Sequence, residues 1–122
     1  MVLVDTSVWI HFLSNRAPYA AALDALLAQG EVSGHDLVLG ELLIGDKGGR
    51  ARMLADYELM RQAPAVQHRE VVAFVRQRRL HGRGIGWVDT HLLASALVAH
   101  ARLWTTDPRL RLVAQELGVS FD

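Results

Sequence analysis

Residues 1–13, MVLVDTSVWIHFL, place an acidic side chain between two apolar segments. Residues 1–4 form a short apolar run, which is typical of a buried strand, and Asp5 follows directly. The next apolar residues recur at helical spacing behind the hydroxyls of Thr6 and Ser7, which can cap a helix. We therefore predict a strand that passes into a helix within one turn, with a carboxylate at the strand's carboxyl end.

The rest of the chain alternates in the same way. Strands that alternate with helices pair in parallel through right-handed crossovers, so we expect an α/β sandwich in which helices flank a central parallel sheet of about four to five short strands. The predicted helices cover residues 19–29, 35–45, 50–61, 68–82, 87–101 and 107–118, and the later strands cover 31–33, 65–66, 102–106 and 119–121.

Composition limits the chemistry that this chain can perform. Its 122 residues are 51% apolar with only 3 prolines, which predicts one globular domain over residues 1–122. It has no cysteine, which excludes disulfides, zinc-thiolate sites and thiol nucleophiles. No signal peptide or membrane-spanning run is recognisable, so we expect a soluble cytoplasmic protein. Basic and acidic residues both number 13, so any nucleic acid must be held by local charge.

Two acidic residues follow predicted strands. Asp5 and Asp107 each come directly after a candidate parallel strand, and ligands bind beyond the carboxyl ends of such strands. Asp107 also precedes Pro108, a pair typical of a helix start, so capping is an alternative role that does not exclude ligand binding.

Two further acidic residues lie in predicted helices. Glu41 interrupts the apolar segment 37–45, LVLGELLIG, so we expect it to be partly buried and to need a cation, with an arginine as the alternative partner. Asp89 opens the helix DTHLLASALV and leans toward its apolar face, with a capping or dipole role as the alternative. If the four carboxylates converge, a divalent cation must neutralise them, and oxygen-only ligands favour Mg²⁺ or Mn²⁺ over zinc.

Four segments in order resemble the PIN-domain nucleases, and more narrowly the VapC-type ribonuclease toxins of bacterial toxin–antitoxin modules. They are VLVDTSVWI (2–10), LVLGELLIG (37–45), IGWVDTHLLASALV (85–98) and LWTTDPRL (103–110). The resemblance implies a PIN-like α/β/α sandwich and a Mg²⁺- or Mn²⁺-dependent endoribonuclease. It also implies a homodimer that a cognate VapB-type antitoxin neutralises.

The resemblance also assigns roles to residues. It implies that Asp5, Glu41, Asp89 and Asp107 form the catalytic, metal-binding acidic quartet, and that the hydroxyls of Ser7 and Thr105 orient these carboxylates and their waters. The chain departs from the family pattern at two places outside the quartet. Leu110 stands where many members have Phe, and His35-Asp36 replaces the small or proline-containing entry to the helix of Glu41.

Other segments are open to two interpretations. Residues 69–83 contain five arginines, and Arg76, Arg79 and Arg83 fall close to one helical stripe that could contact RNA phosphates. The alternative is a solvated helix face. Trp9, with its apolar neighbours, could form a groove for an antitoxin peptide, although a place in the core is the simpler interpretation.

Two other function classes are alternatives to a nuclease. A phosphoacceptor or phosphatase would need an acid where Ser7 stands, or a lysine after a late strand, and the only lysine is Lys47. A catalytically silent PIN-like module that binds RNA or a partner remains the alternative, and the loss of an acidic ligand would favour it. All four acids are present.

Overall fold

The computed structural model describes all 122 residues as three short strands and seven helices. The strands are β1 (Val2–Val4), β2 (Val32–Ser33) and β3 (Arg102–Trp104). The helices are α1 (Thr6–Leu13), α2 (Tyr19–Ala28), α3 (Asp36–Gly45), α4 (Ala51–Leu59), α5 (His68–Arg78), α6 (Trp87–Ala99) and α7 (Pro108–Glu116).

The sheet is parallel, with the order β2-β1-β3, so the first strand of the chain is the central one. Val2 pairs with Val32 on one side and with Arg102 on the other. The pairing with β3 continues to the carboxyl end, where the Asp5 N–H donates to the Trp104 carbonyl at 2.9 Å. Asp5 and the residues after Trp104 therefore emerge side by side at one edge of the sheet. The predicted parallel α/β architecture is confirmed.

Two predicted strands are reduced to isolated bridges in the structure. Near residues 119–121 only Ser120 pairs, with Leu103. Residues 65–66 form no strand, and the pairing occurs earlier, where the Ala63 N–H donates to the Gly34 carbonyl at 2.8 Å. Pro64 follows and has no N–H to continue the ladder, which explains why the pairing stops there.

The core lies around the sheet and around α6, which is buried on nearly all sides. Every residue from Thr90 to Ala96 is buried, although three of these seven side chains are polar, namely Thr90, His91 and Ser95. Trp9 is also in the core, where its ring meets those of Tyr57 and Phe12 edge-on at centroid distances of 5.3 and 5.7 Å. Trp9 is therefore a packing residue and not part of an open groove.

None of the helices has both the length and the apolar character that crossing a bilayer requires.

Candidate active site

Asp5 is buried at the carboxyl end of β1 and is held by two hydroxyl groups. Its Oδ2 accepts hydrogen bonds from Ser7 Oγ and Thr105 Oγ1, both at 2.8 Å. Thr105 Oγ1 in turn accepts from the Asp107 N–H at 3.1 Å, so one hydroxyl connects the first strand's carboxylate to the backbone of the other acidic residue. Ser7 Oγ accepts from the Thr106 N–H at 3.1 Å. The ends of β1 and β3 are thus joined by a continuous hydrogen-bond network.

The hydroxyls of Thr6 and Ser7 do not cap α1, and that prediction is wrong. The N-cap residue is Asp5, and its side chain makes no capping hydrogen bond. Thr6 Oγ1 instead donates to Glu41 Oε1 at 2.6 Å, while Ser7 donates to Asp5. A hydrogen bond to an ionised carboxylate is about twice as strong as one between neutral groups, which accounts for the preference.

Asp107 caps α7 as its position before Pro108 predicts. Its Oδ1 accepts from the Arg109 N–H at 2.8 Å and from the Leu110 N–H at 3.4 Å. This use of one oxygen fixes the carboxylate while the second oxygen accepts no hydrogen bond from the protein.

Glu41 differs from its prediction in two respects. It is exposed, because α3 lies at the surface, where Leu43 and Ile44 are also 50% and 90% exposed. It has no arginine partner, and its hydrogen bond is the one from Thr6. The expected partial burial and the alternative of an arginine pair are therefore both wrong.

Asp89 is half-buried in the first turn of α6. Its Oδ2 accepts the Gly86 N–H at 3.0 Å, which confirms the capping interpretation. Burial raises the Asp89 pKa, the Gly86 hydrogen bond opposes that rise, and the charges of Asp5, Asp107 and Glu41 add to it. Those charge interactions show that the four predicted carboxylates share one electrostatic neighbourhood.

The four carboxylates have a common pattern of hydrogen bonding. In each, one oxygen accepts hydrogen bonds from the protein and the other accepts none. None of them forms an ion pair, since the chain's two ion pairs join Arg83 to Glu116 and Arg111 to Asp122. An anionic, all-oxygen set with no protein cation suits Mg²⁺ or Mn²⁺.

The four carboxylates do not converge on a single ion position. No three acidic or imidazole groups stand close enough together to ligate one ion. This arrangement is compatible with Mg²⁺, which keeps several of its waters and is bound through only one or two carboxylates directly. The residues present therefore fit such an ion, with water filling the remaining positions.

A cavity of about 380 Å³ opens beside the acidic cluster, between α1, α3 and the loop that follows α3. Glu41 and Thr6 line it next to the cluster, and the other three carboxylates lie outside it. Lys47 and Arg50 also line the cavity, and neither forms an ion pair. These two cations were missed by sequence reasoning, and their position within ten residues of Glu41 was the available signal.

The predicted arginine stripe does not exist as one helical face. The helix ends at Arg78, and Arg79 adopts a left-handed conformation with φ of 53°. Arg83 lies beyond the helix and is paired with Glu116 of α7. Of the three candidate RNA contacts, only Arg76 remains on the helix. Sequence reasoning also missed Arg109, an exposed residue beside Asp107 whose side chain lies against the Gly84 backbone.

Comparison with known proteins places this arrangement in a family. The family model described as PIN domain matches residues 2–116. A protein named Ribonuclease VapC32 occurs in two strains of Mycobacterium tuberculosis, CDC 1551 / Oshkosh and ATCC 25618 / H37Rv. In both it is 47% identical to this chain over 121 residues, which are 98% of this chain and 95% of the relative. The chain therefore belongs to the PIN domain family and, within it, to the VapC type.

Proposed function

We propose that this protein is a Mg²⁺- or Mn²⁺-dependent endoribonuclease that hydrolyses phosphodiester bonds in RNA. The observation that carries the proposal is the acidic cluster, in which four carboxylates each have one oxygen free of protein hydrogen bonds and none has a cationic partner. The likeness to a protein named a ribonuclease supports the same reaction class.

The chain's own residues would hold and orient the ion. Asp5, Glu41, Asp89 and Asp107 would supply the oxygen ligands, directly or through water. The hydroxyls of Ser7 and Thr105 hold the Asp5 carboxylate in one orientation. A bound divalent cation would polarise a phosphoryl oxygen and favour deprotonation of the attacking water. No protein nucleophile is needed.

The charges around the cluster suit an RNA strand that is held locally. The carboxylates alone would repel phosphates, so substrate binding needs both the divalent cation and nearby positive side chains. Lys47 and Arg50 in the neighbouring cavity are in a position to contact phosphates on one side of the cleavage site. Arg76, Arg79 and Arg83 remain candidate contacts, although Arg83 would first have to leave Glu116.

We also propose that a VapB-type antitoxin controls the activity in the cytoplasm and that the protein acts as a homodimer. The VapC-type sequence likeness supports the antitoxin. Co-purification of the chain with the product of an adjacent gene, followed by a mass measurement of the complex, tests both points.

The first experiment is a cleavage assay on total cellular RNA with protein free of any antitoxin. We would compare Mg²⁺, Mn²⁺ and EDTA, using the unmodified protein and Asp5→Asn. Asp24→Asn is the matched control, because it makes the same change at an exposed position of α2 whose side chain makes no hydrogen bond.

We expect discrete RNA fragments that require a metal ion, persist with Asp24→Asn and disappear with Asp5→Asn. Normal metal-dependent cleavage by Asp5→Asn would contradict the assignment of the cluster. Intact RNA under every condition would favour the catalytically silent binding module instead.

A further inference from the structure

His35 is a buried side chain that the proposed reaction does not use. It lies between β2 and α3, is 1% exposed, and makes hydrogen bonds to three helices. Its Nδ1 accepts the Leu37 N–H at 3.0 Å, so an imidazole caps α3 in place of the usual short hydroxyl or carboxylate side chain.

The capping bond determines where the ring carries its proton. Because Nδ1 accepts a hydrogen bond, the neutral ring must carry its proton on Nε2. Nε2 is 2.9 Å from Ser95 Oγ, a buried hydroxyl of α6, and therefore donates to it. The same residue's backbone N–H donates to the Tyr57 hydroxyl of α4 at 2.8 Å. One residue thus connects α3, α4 and α6.

The two helices joined by the ring carry two members of the acidic cluster, Glu41 on α3 and Asp89 on α6. The ring provides the only side-chain hydrogen bond between these helices. α3 contains glycine at positions 40 and 45, and glycine weakens a helix by about 1 kcal/mol per residue relative to alanine. Such a helix depends strongly on what holds its end.

We propose that His35, as the neutral Nε2–H tautomer, is a positioning residue that fixes α3 against α6 and thereby sets the separation of Glu41 from Asp89. This inference rests on the proposed function, since it assumes that these carboxylates bind one divalent cation together.

The electrostatics around the ring agree with a neutral imidazole. Burial lowers the His35 pKa, the neighbouring Asp36 opposes that effect, and His91 of α6 adds to it. Tyr57 of α4 is uncharged at neutral pH, as tyrosine ordinarily is, and burial raises its pKa further. A proton on Nδ1 would remove the acceptor for the Leu37 N–H and abolish the cap.

Two substitutions of His35 each keep one of the two hydrogen bonds of the ring and remove the other. His35→Asn places an amide oxygen near the Nδ1 position, so it keeps the cap and loses the bond to Ser95. His35→Gln places an amide nitrogen near the Nε2 position, so it keeps that bond and loses the cap. Ser95→Ala removes the bond from the α6 side with a small change in volume. His81→Gln, at an exposed position, is the matched control.

The test measures the Mn²⁺ dissociation constant of the full chain without RNA, together with Tm, kcat and KM. Loss of groups that orient metal ligands typically lowers metal affinity by about 10- to 100-fold. We expect a loss of about 10-fold for the two His35 variants and for Ser95→Ala, at temperatures where each is folded. With Mn²⁺ saturating for each variant, kcat should fall because the ligands are misplaced while KM for RNA stays constant, and His81→Gln should match the unmodified protein.

Three results would overturn the inference. The first is an unchanged Mn²⁺ affinity in folded Ser95→Ala and His35→Asn, which would leave His35 a purely structural residue. The second is an NMR spectrum of the ring nitrogens that shows the Nδ1–H tautomer. The third concerns Asp89→Asn: if this variant binds Mn²⁺ normally, the proposed function fails and the inference fails with it. Weak binding by Asp89→Asn beside normal binding by the His35 variants overturns the inference alone.

Discussion

At the scale of single residues, the site is organised by hydroxyl groups as much as by carboxylates. Thr105 is buried, donates to Asp5 and accepts from the backbone of Asp107, so it relates two acidic residues from opposite ends of the chain. The sequence could identify three of the acids because they follow strands or begin a helix, and Glu41 because it interrupts an apolar segment, whereas the roles of the hydroxyls came only from the family resemblance. It could not show that Thr6 would bind Glu41, because that contact depends on how α1 and α3 pack.

Replacing the Thr105 hydroxyl should impair catalysis without unfolding the protein. Thr105→Val keeps the shape but leaves the Asp107 N–H and one bond to Asp5 without a partner, at a cost of about 1–3 kcal/mol. We expect the rate of RNA cleavage to fall by about 10- to 100-fold, since the orienting group is lost. Thr105→Ser retains the hydroxyl and should keep most of the activity. Equal rates for the Val and Ser variants would rule out a role for the hydroxyl.

Asp89 illustrates a conflict between stability and function. Burial raises its pKa, so ionised Asp89 destabilises the metal-free fold near neutral pH. Asp89→Asn keeps an oxygen for the Gly86 N–H and removes the charge, so we expect the Tm measured in EDTA to rise by a few degrees. In the presence of Mg²⁺ or Mn²⁺ we expect the same variant to lose RNA cleavage. The gain should disappear in acid below the ordinary pKa of 3.8, where aspartate is protonated in both states. A lower Tm for the variant at pH 7 in EDTA would contradict this explanation.

At the scale of elements, the helices and the parallel sheet could be predicted from the sequence, whereas some helix ends have no residue that marks them. The end of α5 shows the reason. The Leu80 N–H donates to the Val75 carbonyl at 3.0 Å, and Leu80 is buried in the core. This forces Arg79 into a left-handed conformation, a place where glycine is usual. The helix therefore ends because Leu80 packs in the core, although no glycine marks the end in the sequence. The arginines predicted to share one helical face consequently do not do so.

Glycine at position 79 should stabilise the protein, whereas glycine one residue earlier should destabilise it. A left-handed non-glycine residue costs roughly 1–2 kcal/mol, and the greater freedom of glycine in the unfolded chain offsets part of the gain. We expect Arg79→Gly to add about 0.5–1 kcal/mol to the free energy of unfolding. Arg78→Gly, at the last residue of α5, should remove up to about 1 kcal/mol, the cost of glycine in a helix interior. Urea unfolding of both variants would show opposite shifts, and shifts of one sign would refute the account.

At the scale of the whole molecule, charge is balanced in number but not in place. The chain has net charge zero, yet its four clustered carboxylates have no basic partner. Composition could exclude a strongly basic nucleic-acid binder. Only the folded structure shows that Lys47 and Arg50 lie beside the acidic cluster, in the cavity that Glu41 also lines. Clustered negative charge in a protein of zero net charge is expected where a bound cation neutralises the carboxylates.

Stability should decrease as the pH falls below the ordinary histidine pKa of 6.5. Burial lowers the pKa of both His35 and His91 in the folded protein, so the unfolded chain binds more protons in that range. The contribution of these two groups is complete above pH 6.5 and is lost as the pH falls toward their folded-state values. Asp89, whose pKa is raised, opposes this trend, so the measurement uses Asp89→Asn. Its Tm in EDTA should fall from pH 8 to pH 5, and a constant or rising Tm would contradict the assignment of neutral buried rings.

The central position of β1 has a consequence for the order in which the cell makes the chain. Asp5 is synthesised well before its backbone partner Trp104 and its hydroxyl partner Thr105, which lie about a hundred positions later in the chain. A nascent chain therefore cannot assemble the acidic cluster until Asp107 has been translated and released. If the proposed ribonuclease activity is correct, each copy of the protein is inert until its own synthesis has passed Asp107.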